Sequence, residues 1–308
     1  MTSLLSVDSL SVVARTATGE YDAVRDVTFD VDRSSAVALV GESGSGKTMT
    51  ALAIAGLLAD NLDPKGSVRL DDTELLGMGT AARRKMAGRH IGYIFQEPMS
   101  SLHPILTVGQ QMEEGLRAHF SMSKTERRDR VRELLATVGL AKTRDIAGHR
   151  IGQLSGGMRQ RVMIAMAISC NPDLLIADEP TTALDVTLQK QITELLLKLR
   201  EDLGLGLLLI THDLGVVAET CDTAAVMYGG QIVERGATKR VLADPSHDYT
   251  RALITAIPRI GDTRRRLPTV AETAPGLKDA RLLPREARVP TRLVETEAGH
   301  WVRQEGDA

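Results

Sequence analysis

The sequence is poor in aromatic side chains, which make up 3% of its 308 residues. Proteins that bind single-stranded nucleic acid stack bases on such rings and carry an excess of basic charge. Here 38 Lys and Arg stand against 40 Asp and Glu, for a formal net charge of −2. The composition therefore argues against a nucleic-acid partner.

Cysteine is also scarce. The only two cysteines, Cys170 and Cys221, lie far apart in the sequence and lack the spacing of metal ligands. We therefore expect neither a disulfide framework nor a zinc site, and a reducing compartment fits this pattern.

Long apolar runs are missing as well. No stretch approaches the roughly 18 consecutive apolar residues of a membrane-spanning helix, and the N-terminus lacks the basic start and apolar run of a signal peptide. The rest of the composition, 43% hydrophobic and 25% charged, suits one large α/β domain with a smaller appendage. We expect a cytosolic chain that reaches a membrane only through a partner.

A glycine-rich segment at 41–48 reads GESGSGKT and matches the phosphate-binding pattern GxxxxGK[ST]. It follows an apolar strand predicted at 36–40 and precedes a helix predicted from Lys47 to about Ala59, which is the context that such a loop requires. We expect Lys47 to contact the β- and γ-phosphates and Thr48 to ligate Mg²⁺. The predicted ATP-binding residues of this loop are Gly41, Glu42, Ser43, Gly44, Ser45, Gly46, Lys47, Thr48 and Met49.

Two acidic residues end a second apolar strand, where 174–179 reads LLIADE. Open α/β sheets place their ligands at the carboxyl ends of strands. We therefore expect Asp178 to lie near Mg²⁺ and Glu179 to polarise an attacking water as general base. Alone, two adjacent acids would also fit surface charge; the phosphate loop makes that alternative weaker.

A second glycine-rich segment, LSGGMRQR at 154–161, leads into a predicted helix. Ser155 can cap this helix, while Gly156 and Gly157 leave its first N–H groups open to an anion. Two different phosphate-binding elements in one chain suggest that ATP is held between two copies or relatives. Standing alone, the segment would equally suit a helix start loosened by glycine.

Together, GESGSGKT, LSGGMRQR, LLIADEPTTALD and LLITHD resemble in order and spacing the motif set of ABC (ATP-binding cassette) ATPases, over about residues 1–258. FQEPMSSLHP at 95–104, LSGGM in place of the commoner LSGGQ, and HDYTRALITAIP at 247–258 are similar to the ATPase subunits of oligopeptide, dipeptide and nickel importers. The resemblance implies an α/β P-loop NTPase fold with a RecA-like core, an antiparallel β subdomain and an inserted helical subdomain.

The resemblance also implies roles for single residues. Gln96 would sense Mg²⁺ and the attacking water, and His212 would hold the γ-phosphate, so the implied catalytic set is Glu179, His212 and Gln96. The implied Mg²⁺ ligands are Thr48, Gln96 and Asp178. Tyr21 is the candidate that stacks on adenine; the alternative is an ordinary strand residue. The residues implied to contact ATP of the opposite subunit are Ser155, Gly156, Gly157, Met158 and Asp185.

We expect four regions. Residues 1–96 hold the antiparallel β subdomain and the first part of the P-loop core, and 97–160 form the helical subdomain ending at the LSGGM motif. Residues 161–258 complete the core. Residues 259–308 form a loosely structured extension, with one short strand near 291–294. Some relatives bind an iron–sulfur cluster in a cysteine-rich extension; this one has no cysteine, so we predict no cluster.

The resemblance implies the ATP-binding and ATP-hydrolysing subunit of an importer for peptides or a related solute. Its implied cofactors are ATP and Mg²⁺. Its implied partners are a second ABC ATPase subunit, identical or sister, two transmembrane permease subunits and, indirectly, an extracytoplasmic solute-binding protein. The implied location is peripheral, at the cytoplasmic face of the inner membrane.

Two alternatives share part of the motif set. The first is a soluble accessory ABC ATPase of a non-transport complex, such as that of carbon–phosphorus lyase. The second is a nucleic-acid-handling ABC ATPase, which typically carries a coiled-coil insertion or two cassettes; this sequence has neither. The sequence leaves open the transported solute and the role of 259–308.

Overall fold

The computed structural model describes residues 3–17, 19–141, 145–256, 270–274, 277 and 290–305. The described strands are β1 (Leu5–Thr16), β2 (Gly19–Val31), β3 (Ala36–Val40), β4 (Leu62–Leu70), β5 (Thr73–Glu74), β6 (Ile91–Ile94), β7 (Leu174–Asp178), β8 (Gly206–Thr211), β9 (Thr223–Tyr228), β10 (Gln231–Ala237), β11 (Thr291–Glu297) and β12 (His300–Glu305). The described α-helices are α1 (Lys47–Ala55), α2 (Thr80–Met86), α3 (Pro98–Ser101), α4 (Val108–His119), α5 (Lys124–Thr137), α6 (Gly156–Ala167), α7 (Val186–Leu203), α8 (Leu214–Thr220), α9 (Thr238–Ala243), α10 (Asp248–Thr255) and α11 (Val270–Thr273).

The chain divides into two compact units, each built from three stretches of sequence. The acidic-strand unit comprises Met1–Leu5, Val31–Ser35 and Gly77–Ile210. The phosphate-loop unit comprises Ser6–Asp30, Ala36–Leu76 and Thr211–Ala308.

The phosphate-loop unit contains two sheets. One has the order β2-β1-β4-β5, and the other runs β11-β12-β10-β9-β3. Strand β3 (AVALV) is buried along its whole length and pairs in parallel with β9. An apolar run of this kind is typical of a parallel strand covered on both faces. From β9 to β11 the pairing is antiparallel.

The acidic-strand unit has the parallel strand order β6-β7-β8. Strands β7 and β8 are buried throughout, as their apolar sequences predict. A capping box opens α5, where the Ser123 hydroxyl accepts from the Glu126 N–H and the Glu126 side chain accepts from the Ser123 N–H. A second capping box, between Thr107 and Gln110, opens α4.

Helix α1 ends earlier than predicted. Its last residue is Ala55 rather than about Ala59, because Gly56 adopts a left-handed conformation with φ 70°. The Gly56 N–H bonds to the Ala53 carbonyl, which terminates the helix.

The C-terminal extension differs from the expectation of one short strand and loose packing. The predicted strand near 291–294 lies within β11, and the chain continues into β12, which pairs with β10. His300 and Arg303 are buried, because each has polar partners on distant strands. The remainder of the extension, at 259–269, 275–276, 278–289 and 306–308, lies outside the described residues.

Among the residues that the structure describes, no helix is both long and apolar enough to pass through a bilayer.

Candidate functional site

The phosphate loop at 41–48 joins β3 to α1 and is packed closely against β9. Gly41 has φ 153° and Gly46 has φ 108°. A Cβ added to Gly41 would lie 2.2 Å from the Met227 carbonyl oxygen, and one added to Gly46 would lie 2.8 Å from the Met227 Cε. Gly41 therefore requires glycine for space as well as for backbone conformation, and Gly46 requires it for its positive φ.

The start of α1 is suited to an anion. Its N-cap, Gly46, offers no side-chain acceptor to the first-turn N–H groups, and the first turn has no acidic residue. The backbone N–H groups and the positive end of the helix dipole then favour a bound phosphate. Predicted ATP-binding residues 47–49 form this first turn.

Lys47 is buried, and its ammonium group lies inside the loop. Nζ donates to the Gly41 carbonyl oxygen and to the Glu42 carbonyl oxygen, each at 2.8 Å. The positive charge is thus held among the residues predicted to surround the phosphates.

A tyrosine that the sequence analysis did not assign supports the start of the loop. Tyr249, at the start of α10, is fully buried, and its hydroxyl accepts the Glu42 N–H at 3.0 Å. The Tyr249 ring lies 4.4 Å from the Tyr228 ring. Burial raises the pKa of Tyr249, so this hydroxyl stays protonated. The segment 247–258 served only as a family marker in the sequence; its contact with the loop has no local signal.

The other two predicted residues of this unit lie at its surface. His212 directly follows β8 and is exposed. Asp213, beside it, caps α8 by accepting from the Gly215 and Val216 N–H groups. Tyr21 lies on β2 with its side chain exposed. The roles of His212 at the γ-phosphate and of Tyr21 at adenine stay predictions.

In the acidic-strand unit, Asp178 ends β7 and is buried. The Tyr93 hydroxyl on β6 donates to Asp178 Oδ2 at 3.0 Å. Burial first, and the Asp178 charge second, raise the pKa of Tyr93, so its proton stays on the tyrosine. Tyr93 therefore orients the carboxylate that is predicted to lie near Mg²⁺.

Glu179, the predicted general base, is held by two donors. Its Oε2 accepts from Gln96 Nε2 at 3.0 Å and from Thr182 Oγ1 at 2.8 Å. The structure thus brings together two of the three predicted catalytic residues, Glu179 and Gln96. Thr182 was not among the predicted residues, because nothing in a single sequence indicates which threonine of PTTALD faces the carboxylate.

The residues predicted to act in trans start two helices that pack together. The Ser155 hydroxyl caps α6 by accepting the Met158 N–H at 3.4 Å. The Asp185 carboxylate caps α7 by accepting the Leu188 N–H at 2.9 Å. A Cβ added to Gly157 would lie 3.0 Å from Leu188 Cδ2. The two helix starts are therefore closely spaced, as Gly156 and Gly157 in the first turn of α6 permit.

The chemistry of the predicted Mg²⁺ ligands fits a hard cation. Asp178 supplies carboxylate oxygens, Gln96 an amide oxygen and Thr48 a hydroxyl, and Mg²⁺ prefers oxygen ligands. Thr48 belongs to the phosphate-loop unit, and the other two belong to the acidic-strand unit.

Comparison with known proteins identifies the protein family to which the chain belongs. The family described as ABC transporter matches residues 24–182. The chain belongs to the ABC transporter family. The family described as oligopeptide/dipeptide transporter, C-terminal region, matches residues 233–281. The predicted identity, an ABC ATP-binding subunit of the oligopeptide/dipeptide group, is therefore confirmed.

Two relatives illustrate the group. The chain is 47% identical over 287 residues to a Brucella ovis protein described as a peptide import ATP-binding protein, covering 89% of this chain and 85% of the relative. It is 45% identical over 284 residues to the dipeptide transport ATP-binding protein DppD of Haemophilus influenzae, covering 90% and 84%.

Solved structures confirm the predicted ABC ATPase fold. One is a dimeric ATP-binding cassette in a post-hydrolysis state bound to ADP and Pi, with a TM-score of 0.68 and 29% identity over 76% of this chain and 98% of that chain. Another is cbiO1 from Clostridium perfringens, part of the ABC transporter complex cbiONQ, with a TM-score of 0.68 and 27% identity over 79% and 92%.

Proposed function

We propose that this chain is the ATP-hydrolysing subunit of an ABC importer that takes up peptides or a related small solute. The observation that carries the proposal is the hydrogen-bonded pair of Gln96 and Glu179 beside Asp178, in a chain that also holds an intact phosphate loop. The names of the relatives, peptide import and dipeptide transport, support the class of solute. The match to an oligopeptide/dipeptide transporter region favours an importer over an accessory ATPase.

In the proposed reaction, Glu179 accepts a proton from water as the water oxygen attacks the γ-phosphorus. The bond between that phosphorus and the β–γ bridging oxygen breaks, which yields ADP and inorganic phosphate. Gln96 and Thr182 orient the Glu179 carboxylate. Mg²⁺, held by Thr48, Gln96 and Asp178, would neutralise charge on the phosphates.

We propose that the active form is a dimer in which the LSGGM segment at 155–158 and Asp185 contact nucleotide bound to the other subunit. One structural neighbour is a dimeric cassette with ADP and Pi, which supports this arrangement. Val186, directly after Asp185, is 81% exposed. This apolar side chain would leave water if the second subunit covered the predicted trans residues beside it. An identical or a sister subunit satisfies this requirement equally.

We further propose that the segment after Gln96 contacts the membrane permeases. Phe95, Met99 and Ile105 are all exposed, the last by 69%. Contact with a partner would remove these apolar side chains from water, which is favourable. The chain would then be peripheral at the cytoplasmic face of the membrane, and a solute-binding protein outside would act on the permeases rather than on this chain.

The first test is hydrolysis by Glu179→Gln. We expect the rate of phosphate release to fall by about 100-fold or more, because the general base is lost, while ATP binding is kept and ATP-dependent dimers accumulate in size-exclusion chromatography. Glu194→Gln, which removes an exposed carboxylate from α7, is the matched control and should hydrolyse ATP like the wild type. Wild-type turnover by Glu179→Gln would refute the assignment of the base.

The second test addresses transport. In cells whose only copy of this subunit is Glu179→Gln, we expect uptake of labelled di- and oligopeptides to stop, and uptake to return with Glu194→Gln. Uninterrupted peptide uptake with Glu179→Gln would refute the proposed solute class while leaving the ATPase assignment intact.

A further inference from the structure

We propose that Tyr249 is a positioning residue for the phosphate loop, and that the β11–β12 hairpin fixes it through the buried carboxylate of Glu234. This inference rests on the proposed function, because it concerns how the loop is made ready for ATP. All the residues involved belong to the phosphate-loop unit.

Tyr249 contacts the phosphate loop directly. The Tyr249 hydroxyl accepts the Glu42 N–H at 3.0 Å. The Glu42 carbonyl oxygen accepts from Lys47 Nζ at 2.8 Å. Glu42 is therefore oriented on both sides of its Cα, by Tyr249 at its nitrogen and by Lys47 at its carbonyl. Because Gly41 has no side chain to restrict its backbone, these two bonds contribute to fixing the entry to the loop, together with the bond from Lys47 to the Gly41 carbonyl.

Tyr249 is itself held in place by contacts at the start of α10. It lies in the first turn of α10, whose N-cap is His247, and His247 Nδ1 accepts the Tyr249 N–H at 3.1 Å. The Glu234 carboxylate on β10 accepts the Ser246 N–H at 2.8 Å and the His247 N–H at 2.9 Å. The start of α10 is thus attached to β10 by two backbone donors.

The β11–β12 hairpin contacts Glu234 through His300. His300 Nε2 on β12 lies 2.9 Å from Glu234 Oε1, and both side chains are buried. A buried carboxylate needs several donors to offset its lost hydration, so the three donors together keep Glu234 in place. Arg303, three residues along β12, donates to the Ile232 carbonyl at 2.7 Å and to Asp26 Oδ2 at 3.0 Å. These contacts hold β12 against β10.

The contacts form one continuous route, from His300 through Glu234 and the start of α10 to Tyr249 and Glu42. Its expected effect is preorganisation: a loop already held in its binding geometry loses less conformational freedom when a ligand binds. Without the Tyr249 hydroxyl, the Glu42 N–H loses its acceptor, and the loop entry is held only by its bonds to Lys47 and by packing on Met227. The loss should weaken ATP binding more than it slows the chemical step.

The experiment is Tyr249→Phe, which removes one oxygen and keeps the ring against Tyr228. We expect the Kd for ATP and the KM to rise by about 3- to 10-fold, the equivalent of one neutral hydrogen bond, with kcat within about 2-fold of wild type. The matched control is Thr250→Val: the Thr250 hydroxyl is buried on the same helix and has no hydrogen-bond partner among the described residues. It should bind ATP like the wild type.

The hairpin is tested by a double-mutant cycle. His300→Leu should weaken ATP binding in the wild-type background and add nothing in the Tyr249→Phe background, while His300→Gln, which keeps a donor for Glu234, should restore most of the affinity. Equal effects of His300→Leu in both backgrounds would refute the route through Tyr249. Unchanged ATP affinity in Tyr249→Phe, or an equal loss in Thr250→Val, would refute the positioning role.

Lys47→Ala separates this inference from the proposed function. If Lys47→Ala binds ATP as the wild type does, the loop is not the phosphate site and the proposed function fails. If Lys47→Ala loses ATP binding while Tyr249→Phe retains full affinity, only the positioning role fails.

Discussion

Replacing the buried carboxylate of Glu234 by an amide should destabilise the phosphate-loop unit. In the wild type, Oε1 accepts from the Ser246 N–H and faces His300 Nε2, and Oε2 accepts from the His247 N–H. Glutamine has one oxygen and one NH₂ group at these positions. With its oxygen in the place of Oε1, its NH₂ group meets the His247 N–H, and two donors then oppose each other.

The cost follows from this geometry. A hydrogen bond to a charged group contributes about 1.5–3 kcal/mol, and a buried N–H left without an acceptor costs about 1–3 kcal/mol. Because these two quantities overlap, we take about 3 kcal/mol as the loss in free energy of unfolding. For a unit of about 150–250 residues that corresponds to a fall in Tm of about 6–12 °C.

The assay has to report on one unit, because a chain with two units need not unfold in a single transition. We would follow thermal unfolding together with amide hydrogen exchange, and we expect faster exchange at 231–256 and 290–305 in Glu234→Gln. The matched control is Glu297→Gln on β11. Glu297 is 64% exposed and its ion pair with Arg240 spans 3.5 Å, so it should cost less than about 0.5 kcal/mol. A Tm within 1 °C of wild type for Glu234→Gln, or equal losses in both variants, would refute the reasoning.

Three further outcomes are expected. Tyr93→Phe removes the donor to Asp178 and should raise the Mg²⁺ concentration for half-maximal ATP hydrolysis by about 10-fold; an unchanged Mg²⁺ titration would contradict this. Burial lowers the pKa of His247 in the folded protein. The neutral imidazole therefore contributes its full stabilisation above the unfolded-state pKa of 6.5, and this stabilisation is lost as pH falls towards the lower folded-state pKa. His247→Asn, which keeps a capping oxygen, should therefore flatten the decline of Tm between pH 7 and pH 5, and an identical slope would count against it. Gly46→Ala would force an alanine to adopt φ 108° and should abolish ATP-dependent thermal stabilisation, a conclusion that normal ATP binding would overturn.

Much of the fold could be predicted because its signals are local. Strand β7 is an uninterrupted apolar run, the loop at 41–48 is a contiguous pattern, and the start of α5 has a capping box of residues three apart. Each of these depends on neighbours in sequence alone. The early end of α1 also had a local signal in Gly56, which the prediction did not use.

The features that were not predicted depend on contacts between residues that are distant in sequence. Strand β12 reads HWVRQE and looks like surface, yet Arg303 is buried because Asp26 and the Ile232 carbonyl meet it from other strands. Likewise, the acceptor role of Tyr249 depends on Glu42, which is remote in sequence. The periodicity of a sequence shows which side chains are apolar, but not which distant group will form a hydrogen bond with a polar side chain.

The close packing of Gly41 on the Met227 carbonyl also constrains the order of events during synthesis. A ribosome that has extended the chain through α5 has made all of GESGSGKT but none of the strand beneath it, since β9 follows the whole acidic-strand unit. Nascent chains and truncated fragments should therefore carry the motif without the pocket, and ATP should bind only after Met227 has emerged and docked.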